Sequence, residues 1–111
     1  MEKKIEKLLK EIVEKLKVEY EPIKIILYGS YAHGNPNENS DIDLLILKDT
    51  NEKRVERFVQ VKKIIYSPER KIPISPLIYS PTELNERLKI EDDFIKEILN
   101  TGIILYEESS S

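Results

Sequence analysis

Near the start of the chain apolar residues recur at three-four spacing: Ile5, Leu8, Leu9, Ile12, Val13 and Leu16, with Lys and Glu filling the positions between. That period marks an amphipathic helix, predicted over residues 2 to about 18 with its charged stripe in water. Pro22 stops any helix. The short apolar run Ile23 to Tyr28 then reads as a buried strand that ends at Gly29-Ser30. Gly34 to Ser40 holds Gly, Pro and three Asn, residues that favour turns and local side-chain bonding, so it reads as a loop. Ile42 to Leu47 is a second strand, apolar on both faces beyond Asp43. A helix is expected from about Asn51 to Tyr66, with Val55, Phe58, Val59, Lys62 and Ile65 on its inner side.

The second half continues the alternation. Ile72 to Tyr79 reads as a third strand, and Pro73 and Pro76, which lack the N–H a ladder uses, move it to an edge or a bulge. Ser80-Pro81-Thr82-Glu83 has the form of a helix start, a capping hydroxyl followed by Pro and Glu, with Leu84 and Leu88 next at i and i+4. A further helix, about Glu91 to Leu99, turns Phe94, Ile95, Ile98 and Leu99 inward and stops at Asn100 and Gly102. Ile103 to Tyr106 forms a last short strand, and residues 109–111 a frayed tail. Helix, strand, loop, strand, helix, strand, helices, strand predicts an α/β (α+β) fold, a mixed β-sheet with helices packed mainly on one side. The 111 residues suffice for one core and one domain, 1–111.

Composition acts by exclusion. A net charge of -3, with both signs mixed along the chain, gives no basic field of the kind that holds a duplex by its phosphates. With no cysteine there is no disulfide framework, thiol chemistry or thiolate zinc. No apolar run approaches the ~20 residues a membrane span needs, so a soluble, cytoplasmic protein is expected.

One constellation carries chemistry. A strand ending in Gly29-Ser30 and opening into a short helix leaves backbone N–H groups free, and these with the Ser30 hydroxyl can hold phosphate oxygens. Gly29 lets the backbone come close. Residues i and i+2 of a strand share a face, so Asp41 and Asp43 project together while Ile42 enters the opposite layer. Two carboxylates on one face seat a hard cation. Mg²⁺ takes one or two carboxylates plus substrate phosphates, so cradle and carboxylates together point to a metal-bound triphosphate. Ser40 stands where it can steady the turn, and His33 is within the polar segment that follows the cradle. A calcium loop is the competing metal reading, but its further acidic ligands and distal Glu are missing.

Gly29-Ser30-Tyr31-Ala32-His33-Gly34 followed by Ser40-Asp41-Ile42-Asp43-Leu44 resembles the signature of the DNA polymerase beta nucleotidyltransferase superfamily, and the short chain resembles its minimal, stand-alone (MNT-type) members. The likeness is strong from Ile23 to Leu47 and looser, through Tyr79-Ser80-Pro81-Thr82-Glu83-Leu84, to Tyr106. It implies a polymerase beta palm-like fold and Mg²⁺-dependent transfer of a nucleoside monophosphate from an NTP, ATP foremost, to a hydroxyl of a protein or small molecule. It further implies Gly29, Ser30, Ser40 and His33 at the nucleotide, and Asp41 and Asp43 as catalytic metal ligands. Minimal members are paired with a helical HEPN-type partner as toxin–antitoxin systems, and assembly with such a partner or as a homo-oligomer is the expectation carried here. A template-copying polymerase is disfavoured, since the chain has no room for template-holding domains and no basic groove.

One position departs from the pattern. Family members carry a third carboxylate on the strand after the intervening helix, and in Ile72 to Tyr79 the matching residue is Ser75. A neutral hydroxyl does not replace that charge. Either another carboxylate enters the site, Glu69, Glu83, Asp92 and Asp93 being nearest in sequence, or the chain is a weakened enzyme that works as a nucleotide-binding interaction module. As a surface reading, those four carboxylates are helix caps and solvated side chains.

Overall fold

A computed structural model describes residues 1–109 of the chain; the remaining two residues of the expected tail lie outside the described residues. The elements run α1 (Lys3–Glu19), β1 (Lys24–Tyr28), α2 (Ser30–His33), β2 (Ile42–Leu47), α3 (Arg54–Ile64), β3 (Ile74–Tyr79), α4 (Pro81–Lys89), α5 (Asp93–Thr101) and β4 (Ile103–Glu107). They build a four-stranded mixed sheet in the order β3-β2-β1-β4. β1 pairs antiparallel with β2 and β4, whereas β2 and β3 run parallel, joined through α3.

Alternation along the strands splits the core in two. Ile25, Leu27, Ile42, Leu44, Ile46, Ile74 and Ile78 face the larger cluster, which α1 closes with Ile5, Leu9, Ile12 and Leu16 and α3 with Val61. The other face carries Ile26, Leu45 and Tyr79 and is covered by Ile95 and Ile98 of α5, with Leu84 and Leu88 of α4 at its margin. Strands buried on both faces lose the polar alternation of a half-exposed sheet, which is why β1 and β2 read as continuous apolar runs. The mixed sheet and the heavier packing on the α1/α3 face are those the element order predicts.

Two helices present faces other than the expected ones. On α3, Val55, Phe58 and Val59 are 74%, 44% and 43% exposed, while Arg57 and Val61, with Ile65 just past the end, turn inward. The reason is polar. The Arg57 guanidinium donates to the Glu52 and Ile78 carbonyls and meets Glu83 Oε1 at 2.6 Å, so a charged residue is buried with its donors satisfied. On α5, Ile95 and Ile98 are buried as expected, but Phe94 stands 51% exposed at the edge of the cluster and Leu99 37%.

The caps fit the sequence. Ser80 and Glu83 form a reciprocal capping box at α4 with Pro81 in the first turn, and Asp92 caps α5 by accepting from the Ile95 N–H at 3.2 Å. Pro76 is tolerated because Ile42 N–H donates to the Pro73 carbonyl and Lys48 N–H to the Tyr79 carbonyl, so odd-numbered positions of β3 turn toward β2. Pro76 therefore lacks its N–H on the outer side of an edge strand, where no ladder bond is lost.

Candidate nucleotide and metal site

The site lies where β1 gives way to α2. The chain leaves Tyr28, turns at Gly29 with φ 77° and ψ -157°, and enters α2 at Ser30. That backbone region belongs almost wholly to glycine. The N–H groups of Ala32 and His33 both reach the Gly29 carbonyl at 3.1 Å, whereas those of Ser30 and Tyr31 stand ahead of the first carbonyl α2 offers. α2 then ends at Gly34 in the left-handed conformation and releases the polar loop to Ser40.

Antiparallel pairing sets Asp43 opposite Tyr28, and parallel pairing sets it beside Ser75. Ser75, the residue expected at the third-carboxylate position, thus stands beside Asp43. Asp43 is half-buried on the α5 face, and its Oδ2 lies 2.5 Å from where a Cβ on Gly29 would stand. Asp41 is exposed, one residue ahead of β2 rather than within it, and still two residues from Asp43. Burial, and secondarily the negative charge of Asp41, push the Asp43 carboxyl above its usual pKa. Tyr28 is pushed up to about 12, first by burial and then by Asp43 and Tyr79.

A cleft of about 460 Å³ opens over this corner, lined by Tyr28, Gly29, Ser30, His33, Asn35 and Asp43 on one side and by Phe94, Glu97, Ile98 and Thr101 of α5 on the other. Four of the six predicted site residues meet there: Gly29, Ser30, His33 and Asp43. Asp41 and Ser40 stand outside its lining. The Ser40 hydroxyl accepts from the Asn37 N–H at 2.9 Å and so holds the loop closed, the turn-steadying role its position suggests. Tyr31 packs against the larger core, while Tyr28 meets the Phe94 ring edge-on at 5.7 Å.

None of the four carboxylates nearest in sequence to Ser75 lines this cleft. Glu83 is committed to Arg57 and to the Ser80 cap. Asp92 caps α5 and lies 3.7 Å from Arg87. Asp93 is exposed in the first turn of α5, and Glu69 lines a separate hollow with Lys4, Leu8 and Arg70. The carboxylate that does line it beside Asp43 is Glu97, which escapes a reading by sequence proximity. A signal existed, since Phe94, Glu97, Ile98 and Thr101 fall at i, i+3, i+4 and i+7 of one helix face.

Asp41 and Asp43 fit one hard divalent cation. Burial, and then the charge of Asp41, raises the cost of ionising Asp43, which a bound cation would relieve. Among the described residues no group of three acidic, imidazole or thiol side chains comes together. No described helix is long and apolar enough to cross a membrane.

Comparison with known proteins places the chain in a family and finds its fold in a solved structure. The family model described as "Polymerase beta, Nucleotidyltransferase" matches residues 10–111. Among curated proteins of Methanocaldococcus jannaschii, one named "Putative protein adenylyltransferase MJ1305" is 33% identical, over 98% of this chain and 76% of its own length. Another, "Putative protein adenylyltransferase MJ0604", is 36% identical over 91% of this chain and 97% of its own. A Sulfolobus solfataricus protein whose crystal structure is titled that of "a putative nucleotidyltransferase" shares the fold, with a TM-score of 0.62 at 21% identity, over 92% of this chain and 79% of its own. With the model spanning all but the first turns of α1, the chain belongs to the polymerase beta nucleotidyltransferase family.

Proposed function

We propose that the chain transfers AMP from ATP to a hydroxyl of a protein acceptor, with Mg²⁺ as its metal. The observation that carries this reading is the shared cleft, in which the Gly29-Ser30 turn and the Asp43 carboxylate approach so closely that only glycine fits between them. A phosphate chain bound by the turn is thereby delivered to the carboxylates. The names of the M. jannaschii relatives support AMP as the group moved and a protein as its acceptor. A helical HEPN-type protein is the acceptor we favour, on the resemblance to minimal members.

In the reaction the acceptor oxygen attacks the α-phosphorus, the bond from that phosphorus to the bridging oxygen of pyrophosphate breaks, and the hydroxyl proton leaves to solvent or a base. The Ser30 hydroxyl and the N–H groups of Ser30 and Tyr31 orient phosphate oxygens, and His33 and Asn35 extend that wall. Asp41 and Asp43 hold the metal, which supplies Lewis-acid stabilisation of the charge that develops on phosphoryl oxygens. Ser75 beside Asp43 supplies no negative charge.

That last feature supports a second reading, a module that binds metal–nucleotide and acts by occupying its partner without turnover. Incubation with ATP labelled on the α-phosphate, Mg²⁺ and a cell extract or co-purified partner separates the two. Transfer of label that is abolished by Asp43→Asn supports the enzyme; label that survives this change defeats the assigned chemistry. MgATP binding with no acceptor ever labelled supports the module.

A further inference from the structure

The two walls of the cleft differ in chemistry. One offers hydrogen-bond donors and a metal-binding carboxylate, from Ser30, His33, Asn35 and Asp43; the α5 wall offers an aromatic ring, an aliphatic side chain, a carboxylate and a hydroxyl. A carboxylate on that second wall repels phosphate and suits a group that donates hydrogen bonds. The Glu97 carboxylate is in none of the ion pairs found among the described residues. The Thr101 hydroxyl spends its proton on the Glu97 carbonyl at 2.8 Å, which leaves its lone pairs as acceptors. Phe94 is 51% exposed, yet it is held in place by the edge of Tyr28 at an interplanar angle of 81°. A half-exposed ring at the mouth of a cleft gains by covering a flat apolar surface.

The wall is also rigid. Asp92 caps α5, Ile95 and Ile98 anchor it in the second core cluster, and a Cβ on Gly102 would lie 2.5 Å from Ile26 Cγ2, so helix and sheet are in direct contact. The cleft volume falls within the range of small-molecule sites.

We infer that Phe94, Glu97 and Thr101 of α5 form the nucleoside seat of the site, with Phe94 against the base and the Glu97 carboxylate accepting a hydrogen bond from the ribose or base, a reading that rests on triphosphate binding at Gly29-Ser30. Glu97 is thereby a specificity residue for the nucleoside, and it does not stand in for the carboxylate absent at Ser75.

The test is calorimetric titration of the wild-type chain, Glu97→Gln and Phe94→Ala with MgATP and, in parallel, with magnesium tripolyphosphate, which carries the phosphates without a nucleoside. Loss of one charge-assisted hydrogen bond predicts roughly tenfold or greater weakening of MgATP by Glu97→Gln. Loss of stacking predicts roughly fivefold or more for Phe94→Ala. Tripolyphosphate affinity is not weakened in either, and removing the Glu97 charge can only raise it. If the Glu97 effect vanishes with 2′,3′-dideoxy-ATP the carboxylate is paired with the ribose, and if it vanishes with ITP, with the adenine amine; persistence with both analogues overturns the assignment. Equal weakening of MgATP and tripolyphosphate, or no effect on either, also overturns the seat while leaving the triphosphate site standing. A wild-type chain that binds neither ligand overturns the proposed function and the seat with it.

Discussion

Asp43 Oδ2 occupies the space that a side chain on Gly29 would fill, 2.5 Å from the missing Cβ. Glycine at this turn is demanded twice, by a backbone at φ 77° and by the carboxylate behind it. Gly29→Ala is expected to cost about 1–3 kcal/mol in backbone strain alone and to push Asp43 out of place. Thermal melting should show the destabilisation, and MgATP titration a loss of affinity of roughly tenfold or more. Wild-type affinity at a lowered melting temperature would mean that the position of Asp43 does not matter to binding.

Asp43 should stabilise the protein less than a neutral residue would. A carboxyl whose folded pKa is raised contributes stability that is fully present below its unfolded pKa and lost as pH rises through the folded value, so the ionised form is a burden at neutral pH. Asp43→Asn is expected to raise the melting temperature at pH 7 by about 2–5 °C without metal. Under the proposed metal binding, millimolar Mg²⁺ should raise the melting temperature of the wild type and not that of the variant. A melting temperature lowered by the Asn variant in metal-free buffer would contradict the burial of Asp43, and its crowding by Asp41, as a burden on the ionised form.

Ser75→Asp places a carboxylate beside Asp43 in the observed register. If the third carboxylate limits turnover, AMP transfer with Mg²⁺ should rise by roughly 10²-fold, the scale of a positioned general base. In metal-free buffer the same variant should melt lower, since a third negative charge joins Asp41 and Asp43. An unchanged transfer rate with a lowered melting temperature would show that the charge had entered the site and was not what catalysis lacked.

The Arg57–Glu83 pair gives stability an acid limit. The Arg57 hydrogen bond, against a smaller opposing effect of burial, holds Glu83 down to about 2 from an ordinary 4.5. A depressed carboxyl contributes stability that is present above its unfolded pKa and lost as pH falls through the folded one. Melting temperature should therefore drop between pH 4.5 and about 2. Glu83→Gln should be less stable than wild type at pH 7 and show a flatter profile across that window. A variant that follows the wild-type acid profile would remove Glu83 from the account.

How far the sequence carries depends on what decides each position. α1 follows its periodicity because one face meets the core and the rest meets water. The alignment of Ser75 with Asp43 is legible because strand lengths and the crossover fix a register. α3 is not legible in the same way: Arg57 goes in and Phe58 comes out because partners from β3 and α4 satisfy the guanidinium, and such partners leave no periodic trace. Phe94 and Glu97 escape for a related reason. Their helix face is divided between core and cleft, so the same stripe that buries Ile95 and Ile98 also lines the site, and hydrophobic spacing alone does not separate the two.

Pro76 on the outer side of β3 has a consequence for the acceptor. Beside Asp43 and Ser75 the sheet presents an edge with one donor missing, so an incoming chain cannot extend the ladder there by β-augmentation without an unpaired carbonyl. If the acceptor is a protein, as proposed, an approach from that side favours a hydroxyl on a turn, a helix end or a free tail over one in an added strand. Under the proposed transfer to a protein, a residue outside the candidate site would thereby limit which segment of a partner could be modified.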